Sequence, residues 1–168
     1  DVAIVDRIVG LAQLKATFRG EAGHAGTTPM GNRRDALVGA VSALSLLPDL
    51  ARRAGQGAVL TVGKMEVQPG GANVIPNLVT FTVDIRAPAQ QVVAQLIAET
   101  RAAILNAGGN GLDVTIEQQL HVSPTPLSGQ LHAAMTRHAA TLGLKSRTMV
   151  SGAGHDAMIM ADFAPTGL

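Results

Sequence analysis

Three short stretches hold most of the side chains able to do chemistry. In the first, Gly23-His24-Ala25-Gly26-Thr27-Thr28-Pro29-Met30, small neighbours let a ligand approach His24, whose imidazole can donate to a developing oxyanion. Taken alone, a histidine on an exposed loop is more often inert. The second combines Asn73, in Gly71-Ala72-Asn73-Val74-Ile75-Pro76, with Arg86 at the end of a strand. A guanidinium is a bidentate clamp for a carboxylate, and an asparagine amide beside it adds a donor. Asp84, on the same strand face as Arg86, offers a competing account, a surface ion pair of little energetic consequence; spacing alone favours that pair. The third stretch is Ser151-Gly152-Ala153-Gly154-His155-Asp156-Ala157. Its G-x-G-x-x-A spacing invites a dinucleotide reading. His155 and Asp156 would stand in the phosphate path, however, and no acidic residue follows at about 20 positions. A histidine at a helix start suits polar substrate contact better. Ser151 lacks the G-x-S-x-G elbow of a nucleophile.

The elements that must position these residues follow from periodicity. Leu14, Ala16 and Phe18 alternate with Lys15, Thr17 and Arg19, which predicts a strand ended by Gly20. Residues 23–33 contain Gly26, Pro29 and Gly31 and read as a loop. Leu37, Val41, Leu44 and Leu47 fall at helical spacing, with Asn32 as a candidate cap and Pro48 closing the run. A second strand spans 58–67. In a third, Val79, Phe81, Val83 and Ile85 point one way while Thr80, Thr82, Asp84 and Arg86 point the other. Val93, Leu96, Ile97, Thr100 and Ile104 mark a second helix, followed by the Gly108-Gly109-Asn110-Gly111 turn and a strand over 112–120.

This βαββαβ order predicts an α+β, ferredoxin-like domain over residues 10–121. Pro124 and Pro126 make the next stretch a linker. Residues 122–168, with a helix over 128–142, a strand over 146–150 and a helix from about His155, are few for an independent core. They read as a partial α/β domain, with residues 1–9 as an incoming strand or linker.

Bulk composition excludes several classes. Of 168 residues, 13 are Lys or Arg and 12 are Asp or Glu, giving a net charge of +1. That balance provides no basic field for nucleic acid or for an anionic membrane. The absence of cysteine rules out disulfides and thiolate metal sites and points to a reducing compartment such as the cytoplasm. The longest uncharged stretch, 118–136, is broken by prolines and histidines, so no transmembrane helix is expected. The chain has neither H-E-x-x-H nor a dense His/Asp/Glu cluster. His132 and His138 are about 240° apart on a helix, so no complete metal site is expected here. Charged residues make up only 15% of the chain against about a quarter in globular proteins, which implies surface meant to be covered.

The three stretches, together with Arg33-Arg34-Asp35-Ala36-Leu37, resemble the hydantoinase/carbamoylase amidase family. It comprises N-carbamoyl-L-amino-acid hydrolases, allantoate amidohydrolases and β-ureidopropionases, a branch of the metal-dependent aminoacylase-like peptidases. The resemblance runs along almost the whole chain. It implies a homodimer of two-domain subunits in which residues 10–121 are the lid and dimerisation domain. It also implies hydrolysis of the carbamoyl or amide C–N bond of a small carboxylate-bearing substrate, with two divalent metals, zinc or manganese, and a glutamate general base.

By the same resemblance, His24 would reach the partner's active site and stabilise the oxyanion. Asn73 and Arg86 would bind the substrate carboxylate, and Gly154 and His155 would line the pocket. The metal ligands and base are expected before Asp1 and beyond Leu168, so residues 1–168 alone should be inactive. A dipeptidase or aminoacylase of the same superfamily, or a non-catalytic dimerisation module, are the alternatives.

Overall fold

The computed structural model describes residues 1–109 and 111–168; Asn110, within the expected Gly108-to-Gly111 turn, lies outside the described residues. In chain order the elements are β1 (Val2–Ile8), β2 (Gly10–Arg19), β3 (Gly23–His24), a 3-10 turn (Met30–Asn32), α1 (Ala36–Leu44), α2 (Leu47–Ala54), β4 (Val59–Gln68), β5 (Val74–Ile75) and β6 (Leu78–Ala87), then α3 (Gln90–Asn106), β7 (Asp113–Val122), β8 (Thr125–Pro126), α4 (Gly129–Thr141), β9 (Ser146–Ser151) and α5 (Ala157–Met160).

Alternation along the long strands makes one face of a sheet apolar, and that face must be covered. β2, β4, β6 and β7 form an antiparallel sheet in the order β4-β6-β2-β7. With α1 and α3 this is the expected ferredoxin-like arrangement. Leu14, Ala16 and Phe18 of β2 and Val79, Phe81, Val83 and Ile85 of β6 are buried under the helices. The Phe18 and Phe81 rings stack with centroids 5.9 Å apart. α3 buries Val93, Leu96, Thr100 and Ile104, the stripe expected from helical spacing.

The first helix differs from the expected one. α1 buries Ala36, Gly39, Ala40 and Ala43, whereas Val38 and Val41 are 56% and 52% exposed. Small residues let α1 lie close to a sheet already filled by the two Phe rings; a Cβ at Gly39 would collide with Leu112. Its cap is Asp35 rather than Asn32, accepting from the amides of Leu37 at 2.9 Å and Val38 at 3.2 Å. Pro48 opens a second helix, α2, instead of only ending the first. The first helical turn leaves its N–H groups unbonded, so proline is tolerated there.

β1, β8 and β9 form a second sheet in the order β8-β1-β9, with β1 parallel to β9 and antiparallel to β8. The proline-rich stretch thus contains a two-residue edge strand, where proline is allowed. Val5, Ile8 and Leu127 are buried here with Ala157, Met158 and Ala161 packed against them. Leu142, Ile159, Met160 and Phe163 remain exposed, Phe163 at 80%. Only Val9 separates the two sheets along the chain. Gly10 opens β2 because Pro124 packs on it: a Cβ there would lie 2.5 Å from Pro124 Cδ.

Candidate functional site

Among the described residues, the site residues expected from the sequence fall into two polar clusters, at opposite ends of β6. At one end β3 pairs with β5, placing Gly23 opposite Ile75 and His24 opposite Val74. His24 therefore lies on a short ladder rather than in a free loop. The Ala25 amide donates to the Asn73 carbonyl at 2.9 Å, which ties the two segments together. Arg33 buttresses the turn, its Nη2 donating to the Ala25 carbonyl at 2.6 Å and its Nε to the Thr28 carbonyl at 3.0 Å. The Gly26 amide donates to His24 Nδ1 at 3.1 Å. That bond requires a lone pair on Nδ1, so the proton of the neutral ring is on Nε2, and exposed His24 offers a donor.

The other cluster follows from strand register. Ile8 pairs with Ser151 and Leu11 pairs with Arg86, so three residues of chain bring the end of β9 beside the end of β6. Arg86 Nε and Nη2 donate to Asp84 at 2.8 and 3.3 Å, and Nη1 donates to the Gly152 carbonyl at 2.9 Å. The competing ion pair is thus present, and it coexists with a reach into the glycine-rich turn. Three of five N–H donors are used among the described residues, which leaves two for a ligand.

Asp84 also accepts from Gln13 Nε2 at 3.2 Å. Burial pushes the Asp84 carboxyl up, but the hydrogen bonds from Arg86 and Gln13 and the Arg86 charge outweigh it and hold the group below the ordinary carboxylate value. The hydrogen bond to Asp84 raises Arg86 in turn. A side chain so tightly held is preorganised for recognition.

His155 is exposed in the turn before α5, and its Nε2 lies 2.8 Å from the buried Ser151 hydroxyl. The group that holds it is thus a serine four residues earlier. Gly154 is exposed, and a Cβ there would meet only Met158 Sδ at 3.9 Å.

Within one chain the structure separates residues that the sequence analysis placed together. Asn73 precedes the Leu78 end of β6, while Arg86 is eight positions along the strand, about 27 Å at ~3.4 Å per residue. Asn73 accompanies His24, and Arg86 accompanies Gly152 and His155. Sequence reasoning assigned no role to Arg33 or Ser151. The only local signals were an arginine just after the His24 turn and a serine bordering two glycines. Among the described residues, no group of three or more His, Cys, Asp or Glu side chains is placed to hold a metal ion. These residues do not themselves fit a metal centre, and the chemistry available to them is hydrogen bonding and charge.

A family model described as a peptidase dimerisation domain matches residues 8–111. The chain is 36% identical over 168 residues to an allantoate amidohydrolase of Escherichia coli, covering 98% of this chain and 40% of that protein. It is 32% identical over 169 residues to an N-carbamoyl-L-amino-acid amidohydrolase of Paenarthrobacter aurescens, covering 100% and 41%. The crystal structure of a hydantoinase/carbamoylase family amidase from Burkholderia multivorans superposes with a TM-score of 0.92 at 38% identity, covering 97% of this chain and 40% of that one. The chain thus spans about 40% of the length of these relatives.

Proposed function

Because the chain belongs to the peptidase dimerisation domain family, we propose that it supplies the dimerising and substrate-gripping part of an amidohydrolase. The reaction is hydrolysis of the carbamoyl or amide C–N bond of a small carboxylate-bearing substrate, such as an N-carbamoyl amino acid, allantoate or a ureido acid. Residues 10–121 are the lid. Residues 122–168, with β1, belong to a catalytic domain whose divalent-metal ligands and general base lie outside this chain. The observation that carries the reading is the Arg86–Gly152 bond, which aims a guanidinium with two spare donors at the turn holding His155. The two unengaged hydrogens, one on each Nη, are charge-assisted donors suited to a carboxylate.

The separation along β6 adds a second element to the proposal. His24 and Asn73 cannot meet a small substrate held by Arg86 of the same chain, so each site takes Arg86, Gly154 and His155 from one protomer and His24 and Asn73 from its partner. His24 Nε2–H then faces the oxygen on which charge develops, and a donor fixed in advance stabilises that charge without reorganisation. The uncharged α1, with Val38 and Val41 exposed, is suited to contact with a second copy.

Subunit complementation tests this in the full-length protein. His24→Ala and Arg86→Ala homodimers should each be nearly inactive. A re-equilibrated equal mixture should recover roughly a quarter of wild-type activity, since half the dimers are mixed and each has one intact site. No recovery would mean that His24 and Arg86 act within one subunit, and unimpaired single variants would remove both from the site.

A further inference from the structure

Ser151 closes β9 and is 8% exposed. Its hydroxyl makes three close polar contacts: His155 Nε2 at 2.8 Å, the Ala153 carbonyl at 3.1 Å and the Ala153 amide at 3.3 Å. A hydroxyl has one proton and two lone pairs. The Ala153 carbonyl can only accept, so it takes the proton; the Ala153 amide can only donate, so it takes one lone pair. A single lone pair is left for His155, and Nε2 must bring its own hydrogen. The reverse assignment, with Ser151 donating to His155, would leave two oxygens 3.1 Å apart with no hydrogen between them, an unfavourable contact for a hydroxyl that is only 8% exposed.

We infer that Ser151 is a positioning residue that holds neutral His155 with its proton on Nε2, so that Nδ1 is an acceptor for the N–H of an amide or carbamoyl substrate. No hydrogen bond reaches Nδ1 of His155 among the described residues, and the ring is exposed. The two histidines then share one tautomer but present opposite edges. His24, its Nδ1 occupied by Gly26, offers Nε2–H to an oxygen; His155, its Nε2 occupied by Ser151, offers a lone pair to a nitrogen. A carbamoyl group needs both, a donor for its oxygen and an acceptor for its N–H. This assignment rests on the reading that His155 lines the substrate pocket.

The test is nitrogen NMR of the full-length protein labelled in its histidine rings and arginine side chains, at about pH 8, above the ordinary histidine value. His155 should give one tautomer, with a protonated Nε2 and a bare Nδ1. Ser151→Ala should convert it to a mixture, while Ser151→Thr, which keeps the hydroxyl, should preserve it. A wild-type His155 protonated on Nδ1 overturns the inference even if Ser151→Ala does not fold, and so does an unchanged tautomer in folded Ser151→Ala. Millimolar N-carbamoylglycine should then shift the His155 Nδ1 resonance together with Arg86 Nε. A shift at Arg86 without one at Nδ1 overturns the acceptor role alone. Silence at both overturns the substrate reading on which it rests.

Discussion

Arg86 Nη1 donates to the Gly152 carbonyl at 2.9 Å across 66 residues of sequence. With the same guanidinium gripping Asp84, one side chain links the four-stranded sheet to the turn that holds His155. The glycine-rich turn and the arginine are therefore one unit, and perturbing either should be felt by the other.

Arg86→Ala in the full-length protein should raise KM for an N-carbamoyl amino acid by about tenfold or more, the scale of ~1.5–3 kcal/mol for a hydrogen bond to a charged group. Arg86→Lys should recover little of this, because an ammonium cannot reproduce the fork. Steady-state kinetics checks it; an unchanged KM would remove Arg86 from carboxylate recognition.

Asp84 gives a pH signature. Its folded-state value lies below the ordinary carboxylate value, so its ionised form stabilises the fold. That contribution is fully present above about pH 3.9, the unfolded value, and is lost as pH falls through the lower folded value. Asp84→Asn should therefore lower the urea midpoint at neutral pH, and the gap between variant and wild type should narrow on acidification below pH ~3.9. A gap that widened in acid would contradict the sign.

Arg33 should matter through His24. Removing its bonds to the Ala25 and Thr28 carbonyls frees the turn that orients the imidazole. Arg33→Ala should lower kcat in the direction of His24→Ala while leaving KM for the carboxylate nearly unchanged. Faster hydrogen exchange at the Gly26 amide would identify the cause as a loosened turn. If kcat is wild-type while exchange is accelerated, turn order is not what His24 requires.

Val41 tests the outer face of α1. It is half exposed and contributes nothing to the buried cluster beneath the helix, so Val41→Glu should leave thermal stability within about 0.5 kcal/mol, as surface substitutions do. A charge placed against its own copy in an isologous contact repels, so sedimentation should show the dimer dissociating at concentrations where wild type is paired. An unaffected dimer would place the contact elsewhere on the lid.

The legible part of this protein was its local patterning. The alternation of Val79, Phe81, Val83 and Ile85 and the spacing of Val93, Leu96, Thr100 and Ile104 determined which face of β6 and α3 would be buried, because strand and helix periods are set by the backbone itself. Residue types determined the available chemistry: histidine for donating and accepting, arginine for gripping a carboxylate. The stripe expected for the first helix held in part: Leu37, Leu44 and Leu47 pack on the core, but Val41 faces outward and the deepest positions of α1 are small residues. There the sheet's own aromatic rings left the closest positions to alanine and glycine, with Leu37 and Leu44 packing at the margin.

Which residues meet was a tertiary matter. The register of Ile8 with Ser151 and of Leu11 with Arg86 placed the guanidinium on the Gly152 turn, and the length of β6 kept Asn73 away from it. No local pattern encodes either fact, because register depends on how strands far apart in sequence bury their apolar faces together. By itself the sequence determined the elements and the chemical vocabulary; only the folded chain decided that His24 belongs with Asn73, and His155 with Ser151 and Arg86.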